Sequence, residues 1–579
     1  MTKEKNPYAG RPGATHVEAV KERFPGAVTD VSWSTDYQPV ITVDADSAPG
    51  VIEYLYYERG GWMPVMAAND ERPLINKFAL YYILSMEEQD KCMLTVRCEL
   101  DPVSGEFQAV SARVPAAVWS EREAQDLFGL TGRNILDNRN LVLPDDWPQD
   151  LHPLRKDSMD YRFRPAPTRE IENYDFLKDT GDHETRVIPM GPMHITSDEP
   201  AHFRLYVEGE QIIDADYRMF FIHRGMEKCA ESRLNYDGVN FLAERICGIC
   251  GYAHSVAYAE TVERAQGIEV PKRAQYIRSI LMEVERLHSH LLNLGLVCHY
   301  TGFDTGFQHF FRIREDAMDL AELLTGARKT YGLNIIGGVR RDILASQTAE
   351  TFAKIDKLRD DTKRLCDQML STPNFRKRVE GVGILAPKIA RDYSPVGPVV
   401  RGSGFARDAR WVHPFEGYQY IADHHKPFTE ESCDVKGRTL VRVHEVLDSM
   451  DIVEELLRDE LPAGPILNDK FHIEPGKFAI GYDEAPRGEN VHWSMIGNNQ
   501  KTYRWRAKAA TYSNWPVLRY MFRGNTISDA ALIVGSIDPC YSCTERVSIV
   551  DVKKRKEQIL TKQQFEEYGR TQKHSPIDM

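Results

Sequence analysis

Two Cys-x-x-Cys pairs stand far apart in this chain. The first is Arg245-Ile246-Cys247-Gly248-Ile249-Cys250; the second, near the other end, is Asp538-Pro539-Cys540-Tyr541-Ser542-Cys543. The spacing lets two thiolates converge on one metal, because the intervening residues turn the chain back on itself. Four such thiolates could close a tetrahedral zinc site or hold an iron–sulfur cluster. They could also bind nickel, with two of them bridging to a second metal. Zinc ribbons close over a few tens of residues, whereas these pairs would knit the two ends of a large domain together. Structural zinc also has no need of Arg245 or Asp538 two positions ahead of a cysteine, or of Ala485-Pro486-Arg487-Gly488 upstream.

The elements that must position these residues come from an ordinary globular chain. Its 579 residues suggest two to four domains, and 42% hydrophobic content supports a large core. A net charge of −13 argues against nucleic acid as a partner. No apolar run approaches the roughly eighteen residues of a membrane span. Met1-Thr2-Lys3-Glu4-Lys5-Asn6 lacks the apolar core of a secretory signal. The expected compartment is the cytoplasm, where ten cysteines stay reduced and pairs of them read as ligands.

The pattern predicts an α+β protein. Residues 1–157 form a separate α+β domain, 158–187 a polar, Pro-containing linker, and 188–546 a mainly helical domain with small strand excursions. Residues 547–579 are a C-terminal extension. Leu94, Val96, Cys98 and Leu100 alternate with Thr95, Arg97 and Glu99, as in a half-buried strand. Glu121-Arg122-Glu123-Ala124-Gln125-Asp126-Leu127-Phe128-Gly129 reads as a solvated helix face running into a Gly stop. A long amphipathic helix spans about 272–298, with His288 and His290 as core or interface histidines. Further helical periodicity lies at 239–244, 310–324, 351–370 and 443–457. Gly248 and Gly251 allow close backbone approach. Gly337-Gly338 is a packing turn, and Cys92, Cys98, Cys229, Cys298, Cys366 and Cys433 are structural thiols, buried by default.

Several motifs carry family resemblances. The Glu-Arg-Glu run of residues 121–123, Leu143-Pro144-Asp145-Asp146-Trp147 and His152-Pro153-Leu154-Arg155-Lys156-Asp157 make the front domain resemble the complex I 30-kDa subunit. That family implies a docking domain without a cofactor. Gly191-Pro192-Met193-His194 and His202 resemble the start of the complex I 49-kDa subunit, with Ile195 and Phe203 where that family has Pro and Gly. Arg224-Gly225-Met226-Glu227, the first Cys pair with His254, Ala485-Pro486-Arg487-Gly488 and the second Cys pair together resemble the large subunit of a [NiFe] hydrogenase. The fused layout resembles the complex I-related, membrane-associated kind, the formate hydrogenlyase type in particular.

That resemblance implies roles. Cys247 and Cys540 would be terminal nickel ligands. Cys250 and Cys543 would bridge nickel to an iron carrying CN⁻ and CO. Arg487 would be an electrostatic and hydrogen-bonding group, since arginine is a poor base, with Cys540 taking the proton. Glu227 would relay protons. Asp538 would orient Arg487 or the adjacent backbone, and His254 would hydrogen-bond a bridging sulfur. Asp304 and Ser513 are further residues carried over. A maturation endopeptidase would cut after Thr544-Glu545-Arg546 once nickel-insertion proteins have acted. The implied enzyme reduces protons to H2. No cysteine set remains for an iron–sulfur cluster in this chain, so a [4Fe-4S] small subunit is required. Ferredoxin-like subunits, membrane subunits and a formate dehydrogenase would complete the complex, attached peripherally to the cytoplasmic face of the inner membrane.

Two other classes compete. A quinone-site scaffold of the complex I type would lack the four cysteines. A zinc-stabilised assembly protein would have no use for Arg487 or for so long a gap between the pairs.

Overall fold

A computed structural model of the chain describes residues 8–144, 147–159, 185–191, 199–221, 223–541, 549–551 and 556–558. Cys543, His194, the linker's central stretch and Arg546 lie outside these residues.

The front part is built on a five-stranded sheet of β1 (Val28–Thr35), β2 (Gln38–Val43), β3 (Trp62–Asp70), β4 (Phe78–Met86) and β5 (Cys92–Leu100). The order is β1-β2-β5-β4-β3, antiparallel except where β2 runs parallel to β5. The expected half-buried strand is covered on both faces through Thr95, while Arg97 is half-buried and Glu99 exposed on the expected open face. Leu94, Val96 and Cys98 face a core that includes the front part's own Val17, Val51 and Leu127. Met93, Tyr81 and Ile83 on the other face join the core of the long helices, and Thr95 is buried too. Tyr81 packs on Trp493 with ring centres 4.6 Å apart. The Gln38 amide pairs with both the N–H and C=O of Ile480, at 3.0 and 2.8 Å, as a strand end would. The front sheet and the second part therefore share a core, where the sequence suggested a separate domain. Burial pushes the Cys98 thiol up to about 12, as suits a structural cysteine.

The charged run is the helix Val118–Phe128, ended by Gly129 in the left-handed region. It is not solvated: Glu121, Arg122, Glu123 and Asp126 are all buried. Each carboxylate has donors that replace water. Glu121 accepts from the N–H of Val110 and Ser111 and from Tyr82 Oη. Asp126 accepts three consecutive N–H groups, from Leu141 to Leu143.

The second part is helical around Lys272–Tyr300, whose apolar stripe packs against Asp304–Thr325 and Val435–Arg458. Ala345–Ser371 adds a further layer. Each helix contains its predicted core and runs a few residues further. The strand content exceeds small excursions. Phe478–Ala485, Gly488–Ile496 and Thr502–Lys508 form an antiparallel sheet. The first two strands are buried almost throughout, so they lack the alternation that marks a strand in sequence. Gly337 turns the short hairpin between Asn334–Ile335 and Gly338–Val339. Cys298 and Cys366 are buried, while Cys229 and Cys433 are only half-buried.

Candidate metal centre

Four local structures converge on the sulfurs. Cys247 and Cys250 lie on the loop between the helices Tyr236–Ala243 and Gly251–Gln266, with Cys250 as the latter's N-cap residue. Ile249 N and Cys250 N point at Cys247 Sγ, at 3.3 and 3.5 Å. Gly251 is required: a Cβ there would meet Glu244 O at 2.3 Å and the Tyr331 ring at 2.5 Å. Gly248, by contrast, faces open space. Cys540 follows the helix Ala530–Ser536 through Asp538, which takes a left-handed φ of 55°. Aspartate tolerates that region better than most side chains. Cys540 N donates to Thr511 Oγ1 at 3.2 Å.

The three described sulfurs lie within 4.8 Å of one another, and all three residues are buried. Cys540 Sγ is 3.1 Å from Cys247 Sγ, well beyond the ~2.05 Å of a disulfide. Contact with Cys247 and Cys540, together with burial, pushes the Cys250 thiol far up. Three thiolates cannot ionise together here without a cation, and metal binding requires them ionised.

Arg487 supplies positive charge from the tip of a hairpin. Ala485 pairs with Gly488, leaving Pro486-Arg487 as a two-residue turn. Arg487 Nη2 donates to Asp538 Oδ1 at 2.7 Å, Nε to Asp538 O at 2.8 Å and Nη1 to Ser289 Oγ at 3.0 Å. Burial works against its charge, but Asp538 and the three cysteines outweigh burial and raise its pKa.

His254 is buried too, and burial pulls its pKa to about 4 against the pull of Cys247. A chain of contacts fixes its tautomer. Trp505 Nε1 can only donate, and it donates to His492 Nδ1 at 3.2 Å. Neutral His492 then carries its proton on Nε2 and donates to His254 Nδ1, 3.1 Å away. Neutral His254 must therefore carry its proton on Nε2, an atom buried without a protein partner among the described residues. An N–H donor that feels the charge of Cys247 and has no partner among the described residues suits an electron-rich sulfur or a metal-borne ligand.

The sequence did not single out the other neighbours. Glu285 accepts from Tyr252 N and Ala253 N at the start of the Gly251–Gln266 helix. Burial lifts its carboxyl to about 8 despite those bonds. Lys329 Nζ lies 3.2 Å from His288 Nε2, and Tyr331 Oη donates to Cys247 O at 2.9 Å. One signal was available: Glu285, Ser289 and Asn293 recur every four residues along the apolar helix. That polar stripe faces the site, with Asn293 donating to Gly535 O at 3.0 Å.

The remaining expected residues sit elsewhere. The Glu227 carboxylate is taken up by Arg504 Nη1 at 2.7 Å, Arg506 Nη1 at 3.2 Å and Ala507 N at 3.2 Å. Burial would keep it neutral, but the two arginines prevail and lower its pKa. Neither of its oxygens bonds a described cysteine sulfur. Asp304 is exposed at a helix start and pairs with His299 at 2.8 Å. Ser513 is half-buried, while Thr511, two residues earlier, makes the bond to Cys540. His290 is a core histidine bound to Glu445 at 2.8 Å. Arg245 turns outward against Phe241 and Tyr331.

The donor set fits a nickel-containing centre: soft, buried thiolates, a fixed cation and an N–H without a partner among the described residues.

Comparison with known proteins agrees. Residues 224–297 match the family model described as nickel-dependent hydrogenase. Residues 41–162 match the 30 Kd subunit of respiratory-chain NADH dehydrogenase, and 301–477 and 470–546 match its 49 Kd subunit. The chain is 55% identical over 565 residues to formate hydrogenlyase subunit 5 of Escherichia coli K12, covering 98% of this chain and 99% of that protein. It is 54% identical over 565 residues to hydrogenase-4 component G of the same organism, covering 98% of each. Among solved structures it is similar to a chain of an archaeal membrane-bound sulfane sulfur reductase, with a TM-score of 0.59 and 28% identity. That likeness covers 63% of this chain and 99% of the other. Among the described residues no helix is long and apolar enough to cross a membrane.

Proposed function

Since the chain belongs to the family of nickel-dependent hydrogenase large subunits that includes formate hydrogenlyase subunit 5, we propose that it carries a nickel–iron centre on Cys247, Cys250, Cys540 and Cys543, with CN⁻ and CO on the iron. Its reaction is the reduction of protons to H2. When bound, the metal pair supplies a centre that exchanges electrons and polarises the H–H bond. The chain's own residues hold charge and move protons around it. Cys247, Cys250, Cys540 and Cys543 would hold the metals, Cys247 and Cys540 as ligands to nickel alone. Cys540 Sγ takes the proton. Arg487 stays charged and steadies negative charge over the site. Asp538 and Ser289 keep its guanidinium aimed, and His254 Nε2–H donates toward sulfur. Glu227 passes protons between the site and the outside, through intermediates beyond its present bonds to Arg504 and Arg506.

The observation that carries this proposal is the convergence of three buried sulfurs within 4.8 Å beneath an arginine held by Asp538. Metal analysis of the processed protein tests it. About one nickel and one iron per chain, with infrared bands from CO and CN⁻, is the expected result. Zinc alone would sink it.

Electrons come through a [4Fe-4S] small subunit and ferredoxin-like subunits. Membrane subunits hold the assembly at the cytoplasmic face of the membrane, and a formate dehydrogenase feeds it. Removal of residues 547–579 after Arg546 follows nickel insertion. The mass of the chain with and without nickel-insertion proteins checks that order.

A further inference from the structure

The front part does more than dock. A line of alternating charges, buried at Glu123, Arg504 and Arg506 and half-buried at Lys156, Glu227 and Glu231, crosses the seam between it and the rest of the chain, and both of its ends belong to the front part. Lys156 Nζ lies 2.7 Å from Glu231. Glu231 lies 3.2 Å from Arg504, which is 2.7 Å from Glu227. Glu227 lies 3.2 Å from Arg506, and Arg506 Nη2 lies 2.9 Å from Glu123. Geometry dictates the pattern. Glu227 and Glu231 are one turn apart on the helix Met226–Arg233. Arg504 and Arg506 share one face of the strand Thr502–Lys508. The start of the Met226–Arg233 helix is itself pinned beside the first Cys pair, since Arg224 Nη2 donates to Ile246 O at 2.8 Å.

We propose that Glu123, brought from the front part's helix, is a positioning residue for proton delivery. By sharing Arg506 with Glu227, it moderates the positive charge that the relay carboxylate meets. The seating of the front part thus sets the proton supply to the thiol site. This rests on the reading of Glu227 as the proton carrier.

Glu123 faces Arg506 and Arg504 from one strand, Glu227 from a helix, and Tyr512, whose Oη donates to its Oε2 at 2.8 Å. Glu227 faces Arg504, Arg506, Ala507 N and Glu123. Replacing Glu123 by Gln leaves Arg506 wholly to Glu227, which then holds its negative charge to lower pH.

The test follows H2 evolution against pH in the loaded, processed complex with a reduced artificial donor. In Glu123→Gln the limb of the profile that belongs to Glu227 moves to lower pH by about one unit, and Glu123→Asp restores it. Tyr512→Phe takes a donor from the ionised Glu123 and moves the limb the same way by less, so it decides the matter if Glu123→Gln does not fold. Infrared titration of the nickel-free chain gives a second readout. A protonated-carboxyl band that disappears in Glu123→Gln titrates above the ordinary glutamate range. Glu227→Gln is the reference variant. If it evolves H2 at the wild-type rate, the relay reading fails and this inference with it. If Glu227→Gln is inactive while Glu123→Gln and Tyr512→Phe leave the limb in place, or lose rate evenly at all pH values, Glu123 is merely structural and this inference alone is overturned.

Discussion

Asp538 grips Arg487 twice, through its carboxylate at 2.7 Å and through its own carbonyl at 2.8 Å. Because Cys540 follows two residues later, this double bond ties the cation to the loop that carries a sulfur. Lysine has one point charge and cannot fill both bonds in that plane. In Arg487→Lys, H2 evolution falls about 100-fold or more with nickel and iron content retained. Gas chromatography of H2 beside metal analysis checks it. A variant within a few-fold of wild type would remove Arg487 from the mechanism.

Cys540 is buried, and its sulfur lies 3.1 Å from that of Cys247. Serine keeps the shape but offers a hard, weakly acidic donor in place of a soft thiolate. Cys540→Ser therefore loses nickel and H2 evolution together. Retained activity would refute its place as a ligand.

The chain Trp505–His492–His254 fixes which nitrogen of His254 carries the proton. His492→Phe keeps a ring in the core and removes the donor to His254 Nδ1. His254 is then free to take the other tautomer and present a lone pair toward sulfur. The expected loss is about 10–100-fold in H2 evolution, with shifted CO and CN⁻ infrared bands. Unshifted bands would mean that this chain does not reach the centre.

Cys247, Cys250, Cys540, Arg487 and Asp538, which the fold brings together, could be picked out because each sits in a short motif whose chemistry is local. Arg487's place at a hairpin tip follows from Ala-Pro-Arg-Gly, since the pairing of Ala485 with Gly488 leaves only two residues to turn. What stayed hidden depends on pairing across distance. The helix Val118–Phe128 reads as solvated because its carboxylates look alone in sequence, yet Glu123 has Arg506 and Tyr512 waiting hundreds of residues away. Thr95, Arg97 and Glu99 gave β5 the pattern of a strand open on one face, while a second core closes over Met93 at the start of that face. Ser513 and Thr511 differ by two positions on one short helix, and only the fold decides which hydroxyl meets Cys540.

Glu283 contributes to the response to acid. It lies fully buried between Arg286 and Arg410, at 3.1 and 3.2 Å, and accepts from Ser449 Oγ at 2.6 Å. Burial alone would raise its pKa, but the two arginines outweigh it and pull it from an ordinary 4.5 to about 2. A depressed carboxylate contributes stability above its unfolded value and loses it as pH falls. Here the window runs from about 4.5 down to about 2 and is worth about 3 kcal/mol. Glu283→Gln should melt well below wild type at pH 7, and the gap should narrow steadily below pH 4.5. A gap independent of pH would show that the charge is not what the site uses.

Gly488 holds the arginine tip in place through backbone contact. Its φ is +123°, and a Cβ there would lie 2.5 Å from Gly397 N. Gly397, at φ +69°, would in turn drive a Cβ to 2.3 Å from Arg487 O. Two glycine backbones therefore pass each other right beside Arg487, and neither segment can yield without moving it. Gly488→Ala should cost on the order of 2–3 kcal/mol and lower H2 evolution through misplacement of the guanidinium. Gly476→Ala separates strain from collision, since Gly476 also has a positive φ, +86°, but open space around its Cβ position. It should cost about 1 kcal/mol and leave activity alone. Equal melting and equal activity in the two variants would show that close approach at Gly488 does not position Arg487.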